Sequence, residues 1–448
     1  MSAHGSALEG PVELDAAALL GTEVLVGPHH RIESRVLNDG RTNRFRVGDG
    51  SHAIDAVGNR LAIERAREFQ AIAALNRIKE TDAYAKGLEA AANATLTLTR
   101  GVIEDPVGAL SRLPQGLGTL LSDLGAAVQG VGRGKDAPRE DNALVKDLIG
   151  FNTLKRRLAH EMKVDPYSTH PRLKTALNDV AWAMFAGGAP IELAITAAPA
   201  GLALALRAAD RAEGGMLDWK IPPATVRQAM EREVLALGLD SREAEALIYH
   251  RTCTLRHLSL LVSAIVDLKP AQGRVDMLRQ AIRANDEHGC RQAMHAAELA
   301  WSYHRHVTPV VGISVRDGGL WLRDREGVTV LVLPADHLAW TAANAALFAP
   351  GNAPRVLWLD GTVSPNTRDA LLALGINAQD HVLTRFPGGL NVAAILLPER
   401  NTAQPDPAGT NRTGTMIERV GAGVGSAVDG VLQGIGITPR RAEEDARR

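Results

Sequence analysis

Four residues in the middle of the chain are the best candidates for metal binding: His250, Cys253, His257 and Cys290. The first three are spaced at i, i+3 and i+7, so on one continuous helix their side chains would share a face. Cys290 would then supply a fourth ligand from a later helix, and zinc favours such tetrahedral sets of nitrogen and sulfur ligands. The spacing differs from that of standard zinc fingers and ribbons, so a contact or bridge between the cysteines and ordinary packing stay open. Ordinary packing is the favoured interpretation, and no metal or other cofactor is predicted.

A second candidate site follows an apolar run near the C-terminal end. Asp360-Gly361-Thr362 comes directly after the predicted strand Val356–Leu359, where α/β enzymes often place a nucleophile. The segment is similar to the Asp-x-Asp-x-Thr motif of haloacid-dehalogenase-like phosphatases, but Thr362 stands where the second carboxylate, the acid/base, would be. Ser364 followed by Pro365 is better explained as a helix N-cap with proline at the first helical position. Phosphoryl transfer is therefore not favoured.

Other sequence motifs of catalysis are incomplete. The glycine-rich segments 130–135 and 421–425 do not follow predicted strands, and neither matches a P-loop or a dinucleotide-binding fingerprint. His160-Glu161 has no second histidine at the spacing that zinc proteases require, because position 164 is Val164. The catalytic residues therefore remain unknown at this level, and an enzyme is the less favoured class.

The balance of acidic and basic residues indicates whether the protein binds nucleic acid. The 448 residues include 50 Lys and Arg against 51 Asp and Glu, which gives a formal net charge of -1. This balance supplies no overall electrostatic footprint for nucleic acid, so no nucleic-acid partner is predicted. The densest basic run of the body, Lys155–Arg157, is interpreted as a solvated helix face.

The N-terminal residues 1–5 lack the basic stretch and following apolar stretch of a secretory signal peptide. Taken as they stand, they predict a cytoplasmic protein, or a periplasmic or envelope-associated one if the N-terminus is a processed one. The apolar run 187–206 contains Pro190, Glu192 and Pro199. These residues favour a buried core helix over a membrane-inserted segment, which stays the alternative.

Residues 1–57 have the pattern of a small antiparallel β meander. Short runs rich in β-branched residues, at 22–26, 32–36, 42–47 and 52–57, predict four strands. Asn38-Asp39-Gly40 and Gly48-Asp49-Gly50 lie between the later runs and are typical of tight hairpin turns.

Helical periodicity dominates the next part of the chain, 58–139 and 140–306. Ala62, Ala66, Phe69 and Ala73 predict a core-facing stripe on an amphipathic helix, with charges such as Glu64 on the opposite side. Between 140 and 306, apolar stripes predict an all-helical domain. One of its helices is expected to begin at Pro171, and another at the Asp240/Glu243 capping box.

Residues 307–400 alternate strand and helix patterns, which predicts a small α/β module, and 401–448 read as a linker followed by a glycine-rich helix. The predicted fold class is therefore α+β, predominantly helical: a small N-terminal β meander, a central helical domain and a C-terminal small α/β module. The glycine-rich helical patterns at 101–134 and 414–437 need a neighbouring surface, because glycine weakens a helix on its own.

Asp147–Gly188, which includes Lys163–Ser168 and Ala181-Trp182-Ala183, resembles a segment of an uncharacterised family of Gram-negative bacterial proteins. The resemblance implies an association with the cell envelope and brings no activity or site residues. Together with the glycine-rich patterns, it favours a non-enzymatic binding or scaffold protein that contacts a protein partner, a second copy or a membrane surface. The alternative is an enzyme of unrecognised type, with or without a metal ion, whose site lies near the junction of the helical and α/β domains.

Overall fold

The N-terminal strands form one antiparallel sheet, as predicted. A computed structural model of the chain describes residues 7–89, 151–187, 217, 219–316, 318–349 and 353–386. The strands of this sheet are β1 (Val12–Asp15), β2 (Val26–Gly27), β3 (His30–Ile32), β4 (Arg35–Asn38), β5 (Asn43–Gly48) and β6 (Ala53–Val57). β5 pairs with β6 along one edge and with β4 and β3 along the other. Both predicted hairpin turns, after Asn38 and after Gly48, are confirmed.

The strand predicted at 22–26 is wrong over most of its length. Two short helices occupy this region, α1 (Ala16–Leu20) and α2 (Thr22–Leu25), and they meet at Gly21, whose φ is 84°. Val24 and Leu25 are partly buried against the core beneath the sheet. Two helical turns bring more apolar side chains onto that core than a strand would, since a strand directs alternate residues to solvent.

Helix α3 (Asn59–Lys79) connects the N-terminal sheet to the helical part of the molecule. Ala66 and Phe69 pack beneath the sheet, and Leu75 packs on two further helices, α4 (Phe151–Glu161) and α5 (Pro171–Gly187). The charged side that the sequence predicts opposite this stripe is buried as well, since Glu64, Arg65 and Glu68 are buried. The helix is enclosed on that side by the helical body, which periodicity of apolar residues alone does not reveal.

The helical body contains α6 (Pro223–Ala236), α7 (Ser241–Ile248), α8 (Leu255–Asp267), α9 (Arg274–Ile282) and α10 (Glu287–His306). Its core lies between α8 and α10, with Leu258, Leu261 and Leu299 nearly inaccessible to solvent. The helix starts predicted at Pro171 and at the Asp240 capping box are both confirmed.

The C-terminal sheet has the order β13-β11-β9-β8-β7. Its strands are β7 (Val310–Arg316), β8 (Gly319–Asp324), β9 (Thr329–Val332), β11 (Val356–Trp358) and β13 (Asn377–Gln379), and a separate parallel pair is formed by β10 (His337–Leu338) and β12 (Thr362–Val363). β7, β8 and β9 are antiparallel, whereas β9, β11 and β13 are parallel. The carboxyl ends of the parallel strands therefore share one edge, where Asp336 and Asp360 follow β9 and β11.

Both faces of this sheet are covered. Leu322 and Val330 face the helical body, while Leu331 and Leu357 face α12 (Pro365–Ala373) and the helical turn α11 (Ala342–Ala345), with the short α13 (Val382–Arg385) following β13. The predicted class, mixed α+β and mostly helical with a small N-terminal sheet and a C-terminal mixed sheet, is confirmed.

Several predictions fall outside the described residues. They are the glycine-rich segments 101–134 and 414–437 and nearly all of the apolar run 187–206. Among the helices that are described, none combines the length and the apolarity that a bilayer crossing requires.

Candidate functional site

The predicted metal ligands do not share a helix face. Helix α8 begins at Leu255, and the Thr254 side chain caps it by accepting a hydrogen bond from the backbone N–H of His257. Cys253 therefore precedes the helix in a turn, and His250 follows the end of α7. The i, i+3, i+7 argument is wrong here because the residues it joins belong to a turn and to a new helix.

The structure joins Cys253 to Cys290 in a disulfide, with the two Cα atoms 5.5 Å apart. A bridge was one of the alternatives that the sequence left open. His250 lies beside it: a ring nitrogen of His250 and the two sulfur atoms all lie within 4.8 Å of one another. The imidazole is held by the Ile282 carbonyl, 3.3 Å from Nε2, and by the Thr252 N–H, 3.3 Å from Nδ1.

His257 belongs to a different group of residues. Its ring lies within 4.8 Å of carboxylate oxygens of Glu64 and Asp165, and all three residues are buried. They form part of a larger set of buried charges, which we call the central ion cluster: Glu64, Arg65, Glu68, Asp165, Arg256, Glu287 and Arg291. The cluster joins α3, the loop before α5, α8 and α10.

Ion pairs and hydroxyl groups hold the cluster together. Glu64 contacts Arg291 through one oxygen and lies 3.8 Å from Arg256 through the other. Arg65 donates to Glu68 at 2.7 Å and to Glu287 at 3.0 Å, which places it between two carboxylates.

The loop before α5 supplies the hydroxyl groups. Ser168 donates to Glu68, and Thr169 donates to Glu287 at 2.6 Å. Asp165 in the same loop accepts from the Thr254 hydroxyl at 3.0 Å. The buried oxygen atoms are thus satisfied by partners from several segments, as buried charges must be.

The cluster carries one more acid than base: four carboxylates stand against three guanidinium groups. Burial raises the pKa of Glu68 to about 7, since Glu64 nearby adds to that effect and the Arg65 guanidinium only partly offsets it. Burial also raises the pKa of Asp165. Burial acts in the same direction on Glu64, but Arg291, Arg256 and Arg65 together hold its pKa below its usual range. One proton, on Glu68 or on Asp165, therefore neutralises the cluster.

A divalent cation at Glu64, Asp165 and His257 fits this charge count poorly. It would add two positive charges where a single proton restores neutrality, and Arg256 and Arg291 already stand beside Glu64. The three ligand atoms are close enough for a metal ion, but the electrostatics favour the proton.

Asp165 and Arg256 also border a narrow slot beneath Trp219 and Tyr167. The slot offers only about 20 Å³ for water-sized molecules, which is room for about one water. The cluster is therefore closed to a substrate in this conformation, and it acts as a buried electrostatic link between segments.

The acids at the edge of the C-terminal sheet cap helices. Asp336 accepts hydrogen bonds from the backbone N–H of Asn59 and of Asn43, each at 3.0 Å. Helix α3 starts after Gly58, which has no side chain, so Asp336 supplies from elsewhere in the chain the cap that the local sequence lacks. Burial raises the pKa of Asp336 to about 6.

Asp360, the predicted phosphatase-like position, has a structural environment as well. Its Oδ1 accepts from the backbone N–H of Leu383 at 2.9 Å, and its Oδ2 lies 3.7 Å from Arg60 and 3.9 Å from His295. Burial, reinforced by Arg60, holds the pKa of His295 well below its usual value, so this imidazole is neutral.

Two neighbours of Asp360 that the sequence singled out also make packing contacts. The Thr362 hydroxyl lies 2.7 Å from His337 Nδ1. The N-cap predicted at Ser364 is confirmed, since its side chain accepts from the backbone N–H of Thr367 at 3.1 Å.

A more open site lies where the three parts of the molecule meet. We call it the junction cleft, and it offers about 220 Å³ for water-sized molecules. It is lined by Arg41 and Thr42 from the β4–β5 turn, Gln280 from α9, His288, Gln292 and Ala296 from α10, and Gly318, Gly319, Leu320, Leu333 and Pro334 from the C-terminal module. The polar side chains among them are one guanidinium, one imidazole, two amides and one hydroxyl.

Arg41 is fixed in the cleft by neutral groups. Its Nε donates to Asn344 Oδ1 at 2.5 Å, and its Nη1 donates to the Gly318 carbonyl at 3.2 Å. Asn344 is itself oriented by the Gly40 and Ala339 carbonyls. Among the described residues, no carboxylate forms a salt bridge with Arg41; burial lowers the pKa of its guanidinium, and the charge of nearby Asp39 only partly offsets this. The sequence predicts the turn before Arg41, but no motif in it points to this chemistry.

No protein-family model, curated protein or solved structure matches the chain. The site is therefore interpreted from its own geometry, and the family resemblance of 147–188 stays a prediction.

Proposed function

We propose that this protein is a non-enzymatic binding protein, and that the junction cleft takes a small molecule bearing a carboxylate or phosphoryl group. The observation that carries the proposal is Arg41, a half-buried cation on the wall of the cleft whose hydrogen bonds go to neutral acceptors. Moving a charge away from water costs free energy unless an opposite charge compensates for it. An anionic ligand provides that charge.

The geometry of the guanidinium supports an anion. Hydrogen bonds to Asn344 and Gly318 fix the plane of Arg41, which leaves Nη2 as the nitrogen without a partner among the described residues. A planar guanidinium held in place is well suited to carboxylate and phosphoryl oxygens.

The remaining polar groups suit recognition of a polar molecule. Gln280 and Gln292 can each donate and accept hydrogen bonds, and the Thr42 hydroxyl can do the same. The cleft volume of about 220 Å³ lies below the roughly 300–1,000 Å³ of sites for drug-sized molecules, so a small metabolite-like ligand fits better than a peptide.

The alternative function is an enzyme with its site at this same junction. His288 is the group of the cleft best suited to acid–base chemistry, since burial lowers the pKa of its imidazole and leaves it neutral. Binding is favoured because the other polar side chains that line the cleft are suited to hydrogen bonding. His288→Gln distinguishes the two. If the cleft is a binding site, the variant keeps its affinity for the ligand within about tenfold and no reaction is lost. If the cleft is an active site, the variant still binds the substrate but no longer turns it over.

Contact with a protein partner, a second copy or a membrane surface is a separate proposal, based on the glycine-rich segments 101–134 and 414–437. Liposome flotation of the full chain against variants that lack either segment tests the membrane form. Sedimentation of the same proteins tests self-association. Flotation and self-association that are the same with and without the segments would remove this proposal.

The ligand proposal is tested by isothermal titration calorimetry of the full chain with inorganic phosphate, succinate and citrate. We expect at least one of these anions to bind, and Arg41→Gln to weaken that binding at least tenfold. Arg31→Gln is the matched control, because Arg31 is exposed on the same N-terminal sheet and lies outside the cleft. Equal affinity of Arg41→Gln and the wild-type protein, or no binding of any of the three anions, would contradict the proposal.

A further inference from the structure

We infer that Cys253, Cys290 and His250 form a zinc site when the disulfide is reduced. Cys290 lies on α10 between His288 and Gln292, which line the junction cleft, but none of the three side chains of the site lines the cleft itself, and the site does not depend on the proposed ligand. It alternates between two covalent states of the same three side chains: a disulfide, or a zinc ion held by two thiolates and one imidazole.

The three ligand atoms of the site lie close together. The two sulfur atoms and a ring nitrogen of His250 lie within 4.8 Å of one another, which is the span of ligands around one zinc ion. Their backbones are already placed, because Cys253 is anchored by the cap of α8 at Thr254 and Cys290 lies in the first turns of α10. Small rotations of three side chains would therefore replace the sulfur–sulfur bond by three bonds to the metal.

The two cysteines and the histidine also offer the atom types that zinc binds. Thiolate sulfur and imidazole nitrogen are the ligands that zinc prefers over harder cations. The Nε2–H of His250 donates to the Ile282 carbonyl, which fixes the tautomer and leaves the lone pair on Nδ1. Such a backbone partner on the second nitrogen is the usual support of a metal-bound histidine. The long hydrogen bond from the Thr252 N–H to Nδ1 would be exchanged for the metal bond.

A zinc ion can reach the site from solvent. Cys253 and Cys290 are 8% and 3% exposed, whereas His250 is half-buried and reaches solvent. A zinc ion can therefore enter from the His250 side, and a water molecule can complete the tetrahedron there. Burial of the two sulfur ligands protects the bound metal from chelators.

Reduction of the disulfide precedes zinc binding. A dithiol reductant transfers two electrons and two protons, so that the Cys253–Cys290 bond breaks into two thiols and the reductant becomes a disulfide. Zinc then binds both sulfur atoms, and the two thiol protons pass to solvent. Either state links Cys253, which precedes the N-cap of α8, to Cys290 in α10, so the helical body keeps its cross-link in both.

The test uses the full chain, reduced with a phosphine and freed of metal, with zinc titrated against a chromogenic indicator. We expect one zinc per reduced chain and no tight binding to the disulfide form. Cobalt in place of zinc should give the intense visible bands of a tetrahedral thiolate site. Cys253→Ser or Cys290→Ser should weaken zinc binding more than loss of a residue that only hydrogen-bonds to a metal ligand, which lowers metal affinity roughly 10–100-fold.

His250→Ala should weaken zinc binding and alter the cobalt spectrum, while His52→Ala, which replaces an exposed histidine in the turn between β5 and β6, should change neither. Circular dichroism of each sample reports on folding, and a reduced chain that loses structure and regains it with zinc would support the site. Zinc affinity of the reduced wild-type chain equal to that of the Cys253→Ser/Cys290→Ser double variant would overturn it.

Discussion

Glu68→Gln tests the protonation of the central ion cluster. The pKa of Glu68 is about 7 in the folded protein, against an ordinary value of 4.5. Because the folded pKa is the higher one, the stability that protonated Glu68 contributes is fully present below about pH 4.5 and is lost as the pH rises through 7. A difference of about 2.5 units at 1.36 kcal/mol each corresponds to about 3 kcal/mol.

Glutamine is a neutral substitute for the protonated acid, and it can still accept from Arg65 and contact the Ser168 hydroxyl. The variant should therefore escape the loss of stability at higher pH. The free energy of unfolding, measured by urea titration with circular dichroism at pH 5, 6, 7 and 8, should rise for Glu68→Gln relative to the wild-type protein by about 2.5 kcal/mol across this range, which covers most of that difference.

Glu287→Gln is the matched control of opposite sign. Burial acts to raise the pKa of Glu287, but Arg291 and Arg65 hold it below its ordinary value, so its ionised form stabilises the protein above that value. This variant should be less stable than the wild-type protein at pH 7, and the difference should shrink in acid. Two variants with the same pH dependence, or a Glu68→Gln difference that stays constant from pH 5 to 8, would refute the assignment of the proton.

Three further predictions concern stability measured by the same urea titration. Asp336→Ala removes the distant cap of α3 at Asn59 and should cost roughly 2–4 kcal/mol. Gly40→Ala should cost roughly 1–3 kcal/mol, since φ is 107° and the new Cβ would lie 2.8 Å from Thr341 Cγ2. Gly50→Ala, at φ 92° but with open space around it, should cost less. Leu177→Ala should cost about 2–5 kcal/mol, because Leu177 is 1% exposed in the core between α3, α4 and α5. Equal costs at the two glycines, or losses below 0.5 kcal/mol at Asp336 or Leu177, would contradict these assignments.

Local signals in the sequence predicted much of the fold. The cap at Asp240, the proline start at Pro171 and the turn at Asn38-Asp39-Gly40 each depend on residues a few positions apart, and each is confirmed. Such features are decided by the backbone conformation that a short segment prefers. The strand predicted at 22–26 failed because burial of Val24 and Leu25 against the sheet outweighed a weak β preference.

The candidate sites could be predicted only in part, because they depend on contacts between distant segments. A bridge between Cys253 and Cys290 was an alternative to the favoured ordinary packing, and the turn that ends at Thr254 separates both cysteines from His257. Arg41 carries no sequence signal, since its role depends on a cleft formed with residues far along the chain. Asp336 caps α3 at Asn59 from far along the chain, so local sequence patterns do not predict this contact either.

Periodicity of the charged residues, rather than of the apolar ones, would have indicated the interface of α3 with α10. Arg60, Glu64 and Glu68 are spaced at i, i+4 and i+8 in α3 and therefore share a face. In α10, Glu287, Arg291, His295 and Glu298 form a second such stripe. A helix that carries apolar and charged stripes at once has two interfaces, and only one of them was counted.

These two stripes determine how the helices align. Arg60 pairs with Glu298, Glu64 with Arg291 and Arg65 with Glu287, so residue numbers rise along α3 as they fall along α10 and the helices are antiparallel. Sliding α10 by one turn would bring Glu64 to Glu287, two like charges in a buried interface.

A slide of two turns would bring Arg60 to Arg291, again with like charges opposed. Apolar side chains such as Leu and Ala tolerate such shifts, because their contacts are not directional. Buried charges do not tolerate them, since an unpaired or like-charged neighbour costs several kcal/mol. The ion pairs therefore stabilise this one alignment of α3 against α10 more than they stabilise the fold as a whole. Through that alignment they hold the N-terminal sheet, and with it Arg41, against the α10 residues that line the junction cleft.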